Sequence, residues 1–401
     1  MAMSGREKPQ HVTRRVCMLL FNDLEYDPRA FKEAVALSEC GFLVEILAVR
    51  REGCNDRQLA EHATVKRLFP FPFNPLRYPH KYVANFLVFL AYILKYPRQY
   101  DVIHCHDAET LPFGFILARF QRRARIIYDA HEYIRSYLPL PKTLLKRAAF
   151  AASFRLYSLY EKLFIRRVDA VVSVAESLVE RLVQEYSLTC RALCIYNSLE
   201  PAAAIKEYLA RRCDGSGTKK VIVFSGTLDP SREVENLVRV AGFLGGEYCL
   251  ALLGRWSTTA YREKIRRHIT ELGIAERVFE DFVPYEDLTA VLSQATFSIF
   301  ISAPSTITLQ YSMPNKLWES IAAGVPFVAN AALVEISRFI RAYGVGIVVD
   351  SDDPRLVAEE ILRVVSSGEY TALRTNVMRV RETVGWHCER QKLLDLYTDL
   401  V

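Results

Sequence analysis

Short, almost uninterrupted apolar runs alternate along this chain with longer helical patterns, and they do so in two successive series. The first series is Arg15–Phe21 (RVCMLLF), Phe42–Val49 (FLVEILAV), Asp101–His106 (DVIHCH), Ala124–Ala130 (ARIIYDA), Asp169–Ala175 (DAVVSVA) and Arg191–Asn197 (RALCIYN). A strand with one wet face alternates polar and apolar residues; strings like these suit parallel strands covered on both faces. Helical patterns lie between them, such as Arg29–Cys40 with Gly41 placed to cap its end. Strand–helix–strand alternation reads as a doubly wound α/β domain.

The rhythm breaks at 209–220 (LARRCDGSGTKK), a polar, Gly/Ser-containing stretch that reads as a linker or exposed connection. It then restarts with Lys220–Gly226, Tyr248–Gly254, Arg277–Val283, Phe297–Ala303, Pro326–Asn330 and Gly346–Asp350. The chain is therefore expected to form two Rossmann-like domains, residues 1–197 with 386–401 and residues 198–385. The closing amphipathic segment Glu389–Leu400 has no strand after it and is expected to cross back onto the first domain. Two such domains facing a central cleft would place ligands at the carboxyl ends of both sheets.

Composition narrows the classes. The 401 residues are 51% hydrophobic and 24% charged, which excludes disordered and collagen-like chains. A net charge of +6 is far below the dense basic footprint of a dedicated nucleic-acid binder, so no nucleic-acid partner is expected. The nine Cys lack CxxC spacing, which argues against a zinc site or a disulfide framework and suits a reducing cytosol. The start MAMSGREKPQHVTRR has no apolar core of a signal peptide, and Tyr82–Leu94 is too short to span a bilayer. A cytoplasmic protein, free or peripheral on the inner membrane face, is expected.

The chemistry-bearing residues gather where strands end. The first βα turn, Asn22–Arg29, holds no glycine where a dinucleotide fold needs its Gly-rich turn, so NAD or FAD chemistry is not expected. It offers Asp27 and Arg29 instead, as ligands for hydroxyls and an anion, or as a helix cap and a solvated cation. Two further strand ends carry His104-Cys105-His106-Asp107 and Asp129-Ala130-His131-Glu132. A metal could use such spacing, but hydroxyl-rich substrates need the same donors and acceptors. In the second domain, Gly226-Thr227-Leu228-Asp229-Pro230-Ser231-Arg232 turns into a helix N-terminus with a permanent cation, a phosphate-binding arrangement. The densest signal is Ser312–Ala329 (SMPNKLWESIAAGVPFVA). Pro314 opens a helix, Asn315 and Lys316 add donors and charge there, and Glu319 lies one turn along. Gly324 ends it. That pairing of N-terminal donors with a carboxylate suits a ribose diphosphate, although Lys316 and Glu319 could also form a solvated ion pair.

Almost the whole chain resembles the family-4 retaining glycosyltransferases of the GT-B fold. The resemblance rests on Tyr26-Asp27-Pro28-Arg29, Asp101 to Asp107, Tyr128 to Glu132, Asn197 to Glu200, Gly226 to Arg232, and Pro314-Asn315-Lys316-Leu317-Trp318-Glu319 through Pro326. It implies an acceptor-binding first domain, with Asp27, Arg29, His106, Asp107 and Glu132 on the acceptor side, and a second domain that binds a sugar nucleotide. The donor would meet Gly226, Thr227, Arg232, Pro314, Asn315, Lys316, Leu317 and Glu319. Glu319 matches the second Glu of the E-x7-E motif, which holds the donor ribose; Arg232 matches the cation that neutralises the diphosphate; His131 matches the His near the reacting carbon. His131, Arg232, Lys316 and Glu319 are thus the catalytic set. The chain departs from the family in having Tyr311 at the first Glu and Thr227 at the usual basic position, with Lys316 supplying charge as in a Pro-Asn-Lys branch.

The resemblance implies transfer of a hexosyl unit from a nucleoside diphosphate sugar to a hydroxyl with retained configuration, needing no metal or other cofactor. A sugar-nucleotide epimerase of the same architecture and an inactive, partner-binding relative are the alternatives. The apolar run Tyr82–Leu94 with Lys81, Lys95 and Arg98 resembles a surface that lies on an anionic membrane. So does the basic stretch with Lys142, Lys146, Arg147, Arg155, Lys162, Arg166 and Arg167. On that reading the acceptor is a lipid-linked or surface glycan; on the plainer one, these are a buried helix and a solvated face.

Overall fold

A computed structural model describes residues 14–22, 24, 27–50, 57–70, 79–96, 100–121, 124–133, 155–200, 208–213, 218–303 and 307–401. Tyr26, Arg98, Lys142, Lys146, Arg147 and the side chain of Lys81 lie outside them. The chain divides into two compact units, Met1–Ser173 with Val179–Leu193 and Arg390–Val401, and Val174–Leu178 with Cys194–Glu389. Residues Val174–Leu178, 194–197 and 386–389, expected with the first domain, belong to the second unit. There the Ser177 N–H donates to Glu335 Oε1 at 3.4 Å.

The first unit is built on β1 (Arg15–Leu19), β2 (Leu43–Val49), β3 (Arg57–Ala60), β4 (Ala63–Phe69), β5 (Val102–His106), β6 (Arg125–Ala130), β7 (Ala170–Ser173) and β8 (Arg191–Cys194). They form one sheet in the order β3-β4-β2-β1-β5-β6-β7-β8. The β3–β4 pair, antiparallel at the sheet edge, is absent from the sequence reading. In β4, Ala63, Val65, Arg67 and Phe69 are buried while Thr64 is exposed, so the run alternates and its charged residues hide it.

Alternation along the strands sorts this unit's side chains onto two faces. Cys17, Leu19, Ile103, Cys105 and Tyr128 join one core with Phe89, Tyr92 and Ile93 of α2 (Pro79–Lys95) and Phe113 and Leu117 of α3 (Leu111–Phe120). Tyr157 and Phe164 of α4, the helix over 155–164, and Leu182 of α5 (Glu176–Tyr186) complete it. The opposite face carries His104, His106 and Asp129 and is covered by α1 (Pro28–Glu39) and α15 (Trp386–Leu400). Leu393, Leu396 and Tyr397 of α15 are fully buried. The Tyr397 ring packs edge-on against Phe42 at 5.6 Å, and its hydroxyl lies 2.8 Å from His104 Nδ1.

The second unit has β9 (Lys220–Ser225), β10 (Tyr248–Leu253), β11 (Val278–Asp281), β12 (Phe297–Phe300), β13 (Phe327–Asn330) and β14 (Gly346–Val349). They are ordered β11-β10-β9-β12-β13-β14, with all adjacent pairs parallel. Its helices are α6 (Tyr208–Cys213), α7 (Val234–Phe243), α8 (Thr259–Glu271), α9 (Tyr285–Leu292), α10 (Ile307–Tyr311), α11 (Asn315–Ala322), α12 (Val334–Tyr343), α13 (Pro354–Ser366) and α14 (Glu369–Thr383). Strand order reverses between β1 and β5 in the first unit and between β9 and β12 in the second, so each sheet has a switch point whose carboxyl end is the natural ligand position.

The linker expected over 209–220 is corrected in part by α6. Leu209 is fully buried among Val221, Val223, Ala251 and Leu292. Its N–H donates to Gln294 Oε1 at 2.9 Å, and Tyr208 donates to Asp281 at 2.7 Å. Two apolar anchors dock the turn while Arg211 and Arg212 face out, and the polar majority of the stretch masks them.

Replacing Tyr397 by Phe keeps the packing and strips the buried His104 Nδ1 of its partner. It should cost the first unit about 1–2 kcal/mol, read as a lowered denaturation midpoint at unchanged m-value.

Candidate functional site

Each unit gathers its polar residues at its switch point. In the first unit, α1 begins where Asp27 accepts a hydrogen bond from the Ala30 N–H at 3.0 Å and another from Asn22 Nδ2 at 2.8 Å. Asp27 is therefore the helix cap, the plainer of its two readings. Arg29 is neither solvated nor an open anion site. It is 3% exposed, and its Nε and Nη2 donate to the two oxygens of Asp129 at 2.8 and 3.2 Å. One turn on, Glu33 pairs with the same Nε at 3.1 Å and is itself fully buried.

Asp129 is the hub. Besides Arg29 it faces His131 Nε2 at 3.3 Å, His106 Nδ1 at 3.7 Å and His104 Nε2 at 3.8 Å. His106, expected on the acceptor side, is 2% exposed and lies 3.2 Å from His131. It supports His131 from behind. The His131 side chain remains partly open, with Asp107 3.6 Å from its Nδ1. Asp107 reaches that place through a left-handed backbone, φ 63°, pinned by its N–H donating to Asp129 O at 2.9 Å. Strain of this kind at a non-glycine residue gathers at functional sites. Glu132 is exposed beside the same cluster.

Burial and charge set the protonation states here. Burial would lower the His131 pKa, but Asp107 and Asp129 outweigh it and hold it well above the usual histidine value. Burial would raise Asp129, yet Arg29 and His131 keep it well below the carboxylate range. Burial pushes His104 down to about 4 and His106 well below its ordinary value, so both are neutral at pH 7. Burial raises Glu33 to about 7 against the pull of Arg29, and burial with Asp107 raises Glu109 to about 8. Glu33, His104, His106 and Asp129 are close enough to hold a cation. The Arg29 guanidinium, however, already lies against both carboxylates and supplies the positive charge an ion would bring.

In the second unit the cations converge over an aromatic floor. Lys316 Nζ lies 5.2 Å from the Phe224 ring centre and 5.6 Å from that of Phe300, and the Arg232 guanidinium sits 5.9 Å over Phe300 as well. Arg232 closes a short turn, Pro230–Arg232, that Asp229 caps through the Ser231 N–H at 2.8 Å. Gly226 is required beside them: its φ is +113°, and an added Cβ would stand 2.7 Å from Lys316 Nζ. Glu319 is 6% exposed and accepts from Ser225 Oγ at 3.0 Å, so it forms no solvated surface pair. Pro314 occupies the N-cap position of α11 with no side-chain cap, leaving that helix end open to an acceptor of its N–H groups.

Two of the residues expected on the donor side have partners within the unit. Leu317 is fully buried and its N–H donates to Pro314 O at 3.1 Å, so its side chain belongs to the core. Asn315 Oδ1 accepts from Asn197 Nδ2 at 3.0 Å and ties α11 to the start of the unit. Thr227 is exposed next to Gly226. Behind α11, Trp318 packs tilted against Tyr196 at 4.8 Å and edge-on against Phe339 at 5.3 Å, which fixes the helix in place. Sequence reasoning missed Glu33, Glu109, Phe224, Ser225 and Phe300. Arg29 and Glu33 at i, i+4 carried a readable signal; the two Phe residues looked like any strand interior.

A family model for a glycosyl transferase 4-like domain matches residues 28–189, and one for glycosyl transferases group 1 matches residues 219–367. D-inositol 3-phosphate glycosyltransferase 1 of Catenulispora acidiphila is 23% identical over 331 residues, 78% of this chain and 75% of that protein. Among solved structures, sucrose-phosphate synthase from Thermosynechococcus elongatus superposes with a TM-score of 0.73 at 18% identity, covering 96% of this chain and 99% of that one. HepE of Anabaena, solved with UDP and glucose, gives a TM-score of 0.69 at 15% identity, covering 96% and 100%.

Burial and the nearby Arg232 hold Lys316 down to about 8, against 10.5 for a free lysine, despite Glu319. A lysine with a lowered folded pKa binds its proton less tightly in the native than in the unfolded state. The ammonium therefore costs stability below about pH 8, and that cost fades as pH rises toward the unfolded value. Between pH 8 and about 10.5 the wild type should gain stability relative to Lys316→Met, measured by denaturant titration at each pH.

Proposed function

This chain belongs to the family-4-type glycosyltransferases of the GT-B fold, which are nucleotide-sugar-dependent transferases, and from that premise we propose a donor, a stereochemistry and an acceptor. The second unit binds a nucleoside diphosphate hexose. The observation that carries this reading is the meeting of Arg232 and Lys316 over Phe300, beside the buried Glu319 and the open end of α11. Two cations and helix N–H groups take the diphosphate; the Glu319 carboxylate, at the end of β9 with Ser225, takes the ribose hydroxyls. The first unit receives the acceptor through His131, Asp107 and Glu132.

The reaction retains configuration by attack on the same face. The bond between the anomeric carbon and the β-phosphate oxygen breaks, the acceptor oxygen bonds to that carbon, and its proton passes to the departing phosphate oxygen. Catalysis is then positioning plus stabilisation of the leaving diphosphate by Arg232, Lys316 and α11, with no metal required.

The acceptor is lipid-linked and the protein lies peripherally on an anionic membrane surface. Among the described residues no helix is long and apolar enough to cross a membrane. Yet α2 is apolar on its outer side: Val83, Leu87 and Leu94 are 53%, 58% and 66% exposed, with exposed Ala91 between them. The spacing i, i+4, i+8, i+11 makes one stripe. On the same side of the sheet, α4 shows exposed Leu159 and Leu163, with Arg155, Lys162, Arg166 and Arg167 exposed around them. Basic residues flanking such a stripe suit anionic headgroups.

Thermal denaturation with UDP, GDP, CDP, ADP and their common sugars tests the donor. One nucleotide at a hundredfold excess over its Kd should add about 2.7 kcal/mol of stability, and Glu319→Ala should lose most of it; no stabilisation by any of them overturns the reading. Co-sedimentation with vesicles tests the membrane. The wild type should pellet with anionic vesicles and not neutral ones, and Leu87→Glu with Leu94→Glu should cut binding about tenfold or more. A wild type that stays in solution with anionic vesicles removes the lipid-linked acceptor.

A further inference from the structure

We propose that Arg29 and Glu33 of α1 are positioning residues, a buried chain Glu33–Arg29–Asp129 that fixes the orientation and the charge of His131. The proposal rests on His131 taking part in the reaction, as read above, and asks what holds it ready. Neither α1 residue reaches the acceptor side. Arg29 is 3% and Glu33 0% exposed, so their influence passes through Asp129.

The geometry is continuous. Glu33 Oε1 lies 3.1 Å from Arg29 Nε, the same Nε donates to Asp129 Oδ2 at 2.8 Å, and Oδ2 faces His131 Nε2 at 3.3 Å. Arg29 Nη2 holds the second oxygen, Oδ1, at 3.2 Å, so the Asp129 carboxylate is gripped by a two-pronged donor and its plane cannot turn freely. His131 is steadied on its other side by Asp107, 3.6 Å from Nδ1, whose Oδ1 also accepts the His131 backbone N–H at 3.2 Å. An imidazole with a carboxylate at each nitrogen is held as the two-donor imidazolium.

Charge accounting gives Glu33 its place. Asp107 and Asp129 carry two negative charges, and Arg29 and His131 two positive ones. These four groups with Glu33 sum to zero when Glu33 is protonated and to one excess negative charge when Glu33 ionises. The other groups facing His131 are Asp27 at the cap of α1, Glu109 after β5, Glu132 after β6, and His104 and His106 on β5, with Tyr397 of α15 behind His104. Glu33 thus tunes the field at His131 from a position no substrate touches.

The test is ¹⁵N NMR of the histidine ring nitrogens in full-length wild type, Arg29→Gln, Arg29→Lys and Glu33→Gln, with fold checked by circular dichroism and thermal denaturation. In the wild type, His131 should show two protonated ring nitrogens at pH 7. Arg29→Gln should shift the His131 signals and its titration midpoint, and Glu33→Gln should shift the midpoint with little change in shifts at low pH. Arg29→Lys, which keeps the charge and loses the fork, should restore the midpoint more than the orientation-sensitive shifts. Release of nucleoside diphosphate from the donor that stabilises the protein should fall at least tenfold in Arg29→Gln at unchanged donor Kd. Folded Arg29→Gln and Glu33→Gln with unmoved His131 signals overturn the proposal, and so does an unfolded Arg29→Gln paired with a silent Glu33→Gln. If His131→Ala leaves donor turnover intact, the role assigned to His131 falls, while the ring signals still report whether α1 controls its charge.

Discussion

The grip of Arg29 on Asp129 is the interaction on which the first unit's polar centre depends. A carboxylate fully withdrawn from water carries a desolvation cost that only a well-formed partner offsets. Here α1 presents a planar fork to both oxygens. With that anion secured, two neutral histidines can stand beside it on β5 and a charged one can lean on it from the end of β6. Remove the fork and the buried Asp129 carboxylate keeps only the His131 imidazolium against it, with Glu33 left beside it unneutralised. Arg suits this position better than Lys, because an ammonium lacks the planar fork that matches both oxygens of a carboxylate and fixes its plane.

The second unit solves the opposite problem. Arg232 and Lys316 repel each other, and each has been brought over the electron-rich face of Phe300 without a carboxylate taking either in an ion pair among the described contacts. Glu319 lies close enough to lift the Lys316 pKa partway but is engaged by Ser225. Two cations crowded at an uncapped helix end are an unfinished electrostatic arrangement, of the kind a dianionic group would complete. Gly226 is a backbone condition for that crowding, since its φ of +113° is one that residues with side chains rarely adopt.

How much of this is legible in the chain depends on the length scale of the signal. The twelve central and flanking strands read directly, because parallel strands buried on both faces leave unbroken apolar strings. The β3–β4 edge did not, because Lys66 and Arg67 interrupt its pattern, although Arg67 is buried and donates to Val49 O at 3.4 Å. The α6 turn was hidden in the same way by its charged flanks. Polar residues at strand ends mark both polar clusters in the sequence, yet their mutual contacts are not readable there. Nothing local tells that Arg29, one residue past a cap, turns inward to meet a carboxylate a hundred positions later. Likewise the aromatic floor under the two cations needs β9 and β12 to be neighbours, which is a property of topology and not of spacing.

The return of α15 to the first unit has a consequence for the order in which the protein takes shape. His104 and Tyr397 meet across 293 positions, and Arg390 reaches back to Glu39. On the ribosome, at roughly 5–20 residues per second, His104 waits about 15–60 s for its partner. Until then the part of that face beside α1 lacks its α15 cover, with Phe42 and His104 without the ring and hydroxyl of Tyr397. The first unit is therefore completed only after the second has been made, when α15 docks onto β5 and the end of α1.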